Sequence, residues 1–141
     1  IINVGEEFHI DGIIIKAVRA YNISNDKPHL KKSNWLGFII STNDITIYHA
    51  GDTDLIPEMN NYNVDIALVP VSGTYVMDAE QAVEAIKRIK PKVAIPMHYN
   101  PKLNKYYKIF PGAGTMEDAI SFSNGLKDIC SPVLLDVFDC S

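Results

Sequence analysis

Cysteine is scarce in this sequence. Only Cys130 and Cys140 occur, both near the C-terminal end and without C-x-x-C spacing. That usage favours reduced thiols in a cytoplasmic protein over a disulfide framework. No apolar run approaches the ~18 residues of a membrane span, and no signal peptide is visible, so no membrane association is expected. Positive charge is also short: the net charge is -4, which argues against a nucleic-acid grip spread over the surface. The basic stretches at 27–32 and 102–108 are brief and read as solvated loops. A G-x-S-x-G elbow, a P-loop and a G-x-G-x-x-G turn are all missing. No internal repeat or low-complexity segment occurs. An initiating Met is missing as well, and Ile1-Ile2 runs at once into strand-like sequence, as in a fragment.

What is present suffices for a core. Hydrophobic residues make up 47% of the 141, close to the usual size of one domain, here 1–141. Asp11-Gly12 between β-branched runs reads as a hairpin turn. A second hairpin is expected around Thr42-Asn43-Asp44, with arms at 35–41 and 45–48. Leu55 begins one or two helical turns reaching Tyr62, with Pro57 near their start. Residues 64–71 form an apolar run suited to a buried strand. Asp78 caps the next helix, with Gln81 reaching back. Ala79, Ala82, Val83, Ile86 and Ile89 give it an apolar stripe, and Pro91 ends it. Another strand covers 93–97, an irregular loop 102–114, and a helix capped by Thr115 runs to about Asn124, closed by Gly125. Residues 132–138 read as a last strand. Hairpins followed by strand–helix–strand–helix–strand predict an α/β (α+β) domain, a mixed sheet with helices covering one face.

Two strand ends carry chemistry. The run Ile45-Thr46-Ile47-Tyr48-His49-Ala50 ends in Gly51-Asp52-Thr53-Asp54. Asp is a hard oxygen donor able to bridge two cations, and Gly51 lets the chain turn sharply; a plain helix cap is the structural alternative. The run Val93-Ala94-Ile95-Pro96-Met97 ends in His98. A lone histidine is most often structural, but Asp52 and His98 hold equivalent strand-end positions, and such ends converge on one crevice. His49 could orient a ligand through a hydrogen bond or be a core histidine. His29, in the polar loop 19–34 with Asn22, could swing into the site. Tyr75 follows the strand at 64–71 and could line the pocket or bond a substrate oxygen. His9 reads as surface decoration.

Tyr48-His49-Ala50-Gly51-Asp52-Thr53, Asp65-Ile66-Ala67-Leu68-Val69-Pro70-Val71 and Ile95-Pro96-Met97-His98-Tyr99, in that order, resemble the metallo-β-lactamase superfamily. The nearest branch is the metal-dependent hydrolases similar to L-ascorbate-6-phosphate lactonase. The likeness covers roughly residues 13–99. It implies the second half of a four-layer αββα sandwich. Asp52 would be the metal-bridging carboxylate and His98 the last histidine ligand. The His-x-His-x-Asp-His motif of the first half is absent here. Where the family commonly has a further histidine ligand, this chain has Asn22, and His29 seven residues on is the available substitute.

The resemblance therefore implies a metal-dependent hydrolase in which a metal-activated water attacks an ester, lactone or phosphoester of a small molecule. Its cofactor would be a divalent metal, zinc before manganese or iron. The chain alone would be inactive, completed by a missing N-terminal half or a homo-oligomer. The alternative is a non-catalytic structural or assembly module with at most one weak metal site.

Overall fold

The computed structural model describes residues 2–99 and 113–135. Strand β1 (Glu7–Ile10) turns at Asp11-Gly12 into β2 (Ile13–Arg19), both turn residues having positive φ, 47° and 80°. That geometry is the one a two-residue hairpin needs to follow the strand twist. Strand β3 (Leu36–Ser41) returns antiparallel to β2, and β4 (Thr46–His49) antiparallel to β3. Beyond β4 the pairing becomes parallel, through β5 (Ile66–Pro70), β6 (Val93–Met97) and β7 (Ser131–Pro132). The spatial order is the chain order, β1 to β7. This is the mixed sheet expected. Because β2 and β4 are both antiparallel to β3, strands β2, β4, β5 and β6 all run the same way. Their C-terminal ends therefore lie along one edge.

Helix α1 (Ala79–Ile89) starts at Asp78, whose side chain accepts from Gln81 N–H while Gln81 Oε1 accepts from Asp78 N–H. Helix α2 (Met116–Gly125) has the same reciprocal cap between Thr115 and Asp118. Ala82, Ala85, Ile86, Ala119 and Phe122 are fully buried. Against them stand Tyr48, Ala67, Val69 and Ala94, also fully buried, from three adjacent strands. Side chains alternate across a sheet, so their neighbours face the other way. There one register row runs Phe8, Ile15, Ile40, Ile47, Ile66, Val93 across six strands. Each of the six is only partly buried or exposed. An open groove of about 610 Å³ lined by Ile2, Glu6, Glu7, Phe8, Ile15 and Phe38 lies at one end of this face. The helices thus cover one face of the sheet and the other is apolar and bare among the described residues.

Three local expectations need correcting. The turns expected from Leu55 to Tyr62 form a 3-10 helix, Pro57–Asn61, whose lead-in Ile56 is extended as a residue before proline prefers. Gly125 is the last residue of α2 and not its left-handed cap; the cap is Leu126, in right-handed conformation. An added Cβ there would meet Val83 Cγ2 at 2.7 Å, so its smallness serves the α1–α2 contact. Among the described residues the last strand is short: β7 is Ser131–Pro132, with Ser131 and Val133 N–H donating to the Lys92 and Ala94 carbonyls of the neighbouring segment. Most of the loop expected at 102–114, and the end of the strand expected at 132–138, lie outside the described residues.

Candidate metal centre

The shared strand edge gathers the candidate residues. After β2 comes the loop with Asn22 and His29; after β4, Asp52; after β5, Tyr75; after β6, His98. Gly51 makes the second of these arrivals feasible. Its φ is +66°, and a Cβ would stand 2.5 Å from the Leu36 carbonyl oxygen. The chain turns there against the backbone of β3 and presents Asp52 at the rim.

Asp52 is the common member of two close pairs. His29 Nε2 lies 3.7 Å from Asp52 Oδ2, and His98 Nε2 lies 3.6 Å from Asp52 Oδ1. Each carboxylate oxygen faces a different imidazole. His98 has φ +63°, a left-handed conformation uncommon outside glycine. Its Nδ1 is buried and has no hydrogen-bond partner among the described residues. Non-glycine residues held in this region cluster at functional sites.

A buried polar network supports His29. Asn22 and Asp54 are 3% and 6% exposed. Asn22 Nδ2 donates to Asp54 Oδ1 (3.1 Å) and to the Tyr75 carbonyl (2.7 Å), while Asn22 Oδ1 accepts from His29 N–H (2.9 Å). Asp54 also accepts from Ile23 N–H (3.0 Å) and Lys27 Nζ (2.8 Å). A buried carboxylate needs such partners, since unpaired it would carry a large desolvation cost. His29 Nδ1 lies 3.3 Å from the same Tyr75 carbonyl. On its other side the His29 ring meets Trp35 edge-on, centroids 5.1 Å apart.

Of the expected site residues, Asp52, His29 and His98 come together and Asn22 stands directly behind His29. Tyr75 contributes its backbone carbonyl, and its side chain is half exposed. His49 does not orient a ligand side chain. It is exposed at the strand end, and its Nδ1 accepts the N–H of Gly51. Alternation puts it on the bare face with Phe38, its cross-strand partner. His9 is a surface residue 3.8 Å from Glu7. Sequence reasoning missed Asp54, Lys27 and Trp35. Asp54 had a signal in being the second acid of the Gly51 turn; nothing in the sequence pairs it with Lys27. Beneath the site, burial pushes the Tyr48 hydroxyl well above its ordinary range and the neighbouring Tyr62 up to about 12.

Two imidazole nitrogens and a carboxylate suit a divalent ion. Two bonds of ~2.05 Å at a tetrahedral angle set donors ~3.3 Å apart, slightly inside the N···O separations seen here. Yet among the described residues no group of three or more His, Cys, Asp or Glu is placed to hold a metal ion by itself. The donor chemistry fits; the donor number is short.

Residues 1–98 match the beta-lactamase superfamily domain. The chain belongs to the metallo-β-lactamase superfamily. It is 40% identical over 102 residues to the UPF0173 metal-dependent hydrolase of Staphylothermus marinus, a match spanning 70% of this chain and 42% of that protein. With the UPF0173 metal-dependent hydrolase Ta0764 of Thermoplasma acidophilum the identity is 43% over 103 residues, spanning 70% and 45%. The chain thus spans under half the length of these curated relatives. Among solved structures it resembles Igni18, a metallo hydrolase from Ignicoccus hospitalis, with a TM-score of 0.73 and 30% identity, covering 96% of this chain and 56% of that one.

Proposed function

We propose that this chain supplies the Asp52, His29 and His98 side of a divalent-metal centre in a hydrolase acting on a small ester, lactone or phosphoester. The observation that carries this reading is the single carboxylate with a different imidazole Nε2 facing each oxygen. Asp52, His29 and His98 would be the three donors this chain contributes to that centre. Zinc suits mixed imidazole and carboxylate donors, as do manganese and iron. When bound, such an ion brings the pKa of water toward neutrality and polarises a carbonyl or phosphoryl oxygen. The chain's own part is to hold the carboxylate in place, to set both Nε2 atoms beside it, and to wall His29 with Trp35. The remaining ligands would come from an N-terminal half or a second copy, seated on the bare sheet face. That requirement makes the chain inactive alone.

Zinc titration calorimetry tests it. The chain should take up zinc weakly, with three donors, and Asp52→Ala should abolish the heat. Equal uptake by the variant would refute the assignment. A second reading, a non-catalytic assembly module, draws support from the incomplete donor count and the bare face. Self-association by light scattering without any zinc uptake would favour it.

A further inference from the structure

Asn22 uses both donor hydrogens of its amide and one of the two lone pairs of its oxygen. Its Nδ2 meets two acceptors, Asp54 Oδ1 and the Tyr75 carbonyl, and its Oδ1 meets one donor, His29 N–H. Rotating the amide by half a turn would oppose like to like at all three contacts, so its orientation is determined. Its backbone N–H also donates to the His29 carbonyl at 2.6 Å, closing the loop between them into a pinched ring. His29 shares the Tyr75 carbonyl through Nδ1. A carbonyl oxygen only accepts, so this contact favours a proton on Nδ1 and makes Nε2 the nitrogen free to ligate. Nε2 is the nitrogen beside Asp52.

Resting on the metal reading above, we propose that Asn22 is the positioning residue for His29. It pins the His29 backbone and fixes the carbonyl that selects the Nδ1–H tautomer, delivering Nε2 to an ion at Asp52. Asp54, tied in turn by Lys27, holds the Asn22 amide against rotation. Partners of this kind orient a ligating histidine elsewhere in proteins, and their loss lowers metal affinity by ~10–100-fold. Here the orienting group reaches the imidazole through a shared backbone oxygen.

The test has two arms on the same chain. In the metal-free protein, nitrogen-15 long-range spectra report the His29 tautomer. Wild type should show Nδ1–H, and Asn22→Ala a mixture of tautomers with unchanged far-ultraviolet dichroism. In the second arm, cobalt(II) alone is titrated by calorimetry. Asn22→Ala should lose ~10–100-fold in affinity, and the same substitution in a His29→Ala background should lose nothing more. If Asn22→Ala fails to fold, Asn22→Ser, which keeps a hydroxyl for His29 N–H, is read by the same criteria. A pure Nδ1–H tautomer in the variant, or an equal loss in both backgrounds, overturns the proposal. Lowered affinity in His29→Ala with none in Asn22→Ala overturns it alone. Unchanged affinity in His29→Ala overturns the metal reading and this inference together.

Discussion

Replacing Gly51 with alanine tests how the fold delivers Asp52. Two costs are separable because Gly12 provides a control. At Gly12, φ is +80° and an added Cβ meets nothing within 4 Å. At Gly51, φ is +66° and the Cβ would lie 2.5 Å from the Leu36 carbonyl oxygen and 3.3 Å from its carbon. Both substitutions incur ~1–2 kcal/mol for a left-handed alanine, partly offset by ~0.4–1 kcal/mol from the stiffer unfolded chain. Gly12→Ala should therefore cost about 1 kcal/mol or less. Gly51→Ala adds overpacking of ~1–3 kcal/mol, because the clashing atom belongs to a backbone held by the β2–β3 and β3–β4 ladders and cannot rotate away. Its total should be ~2–4 kcal/mol. Urea unfolding of the two variants, with m unchanged, gives both numbers. Relieving the clash also shifts the turn, so zinc uptake should fall in Gly51→Ala and hold in Gly12→Ala. Equal destabilisation of the two variants would refute the close approach at Leu36.

Further outcomes follow from the same geometry. At His98, with φ +63°, glycine should be about 1 kcal/mol more stable than alanine, while neither variant takes up zinc as wild type does; denaturant midpoints showing alanine level with glycine would contradict the left-handed backbone. Burial pushes the Tyr62 hydroxyl up to about 12 and holds Tyr48 well above the ordinary tyrosine range. An unfolded tyrosine titrates near ~10, so this stabilisation is complete below pH ~10 and is lost as pH climbs through the folded value. Unfolding free energy measured against pH should fall across that window, and fall less steeply in Tyr62→Phe, where only Tyr48 of the pair remains; a level wild-type curve would count against it. Ile47 sits mid-row on the bare face, so Ile47→Glu should abolish concentration-dependent self-association in light scattering and keep the helical dichroism. Persistent self-association would place the contact elsewhere.

Much of the fold was legible because local chemistry decides it. Asp11-Gly12 can hardly be anything but a tight turn, and the Asp78 and Thr115 caps are each written within four residues. The edge position of Asp52 and His98 followed from strand ends alone. What escaped depends on contacts between distant segments. A 3-10 and an α-helical turn at Pro57–Asn61 differ by one residue in hydrogen-bond span, which composition does not register. Gly125 reads as a terminator until Val83 is known to press on it. His49 fell on the wrong side because strand alternation gives only relative faces, and which one the helices cover is settled by α1 and α2. Lys27 and Asp54 pair across 27 residues of chain, beyond any local pattern.

The site rests on loops sewn to one another as much as on the sheet. Tyr21 and Thr53 exchange bonds at 3.1 Å through the threonine hydroxyl, Asp54 N–H reaches the Tyr21 carbonyl at 2.9 Å, and Met77 N–H reaches the Thr53 carbonyl at 3.0 Å. The segments after β2, β4 and β5 are thereby one unit, and Asp52 is held on the side of His29 by its own neighbours. His98 arrives separately, from β6, on a strained backbone. That division explains how a histidine seven residues beyond Asn22 can still reach Asp52. Once Asn22, Thr53 and Asp54 stitch the loop base to the turn, a ring of chain from 22 to 29 needs only to close on itself, and closing a short loop costs little. Which side chain stands beside Asp52 at this edge is thus decided by what the stitched loop returns to the rim, and in this chain it returns His29.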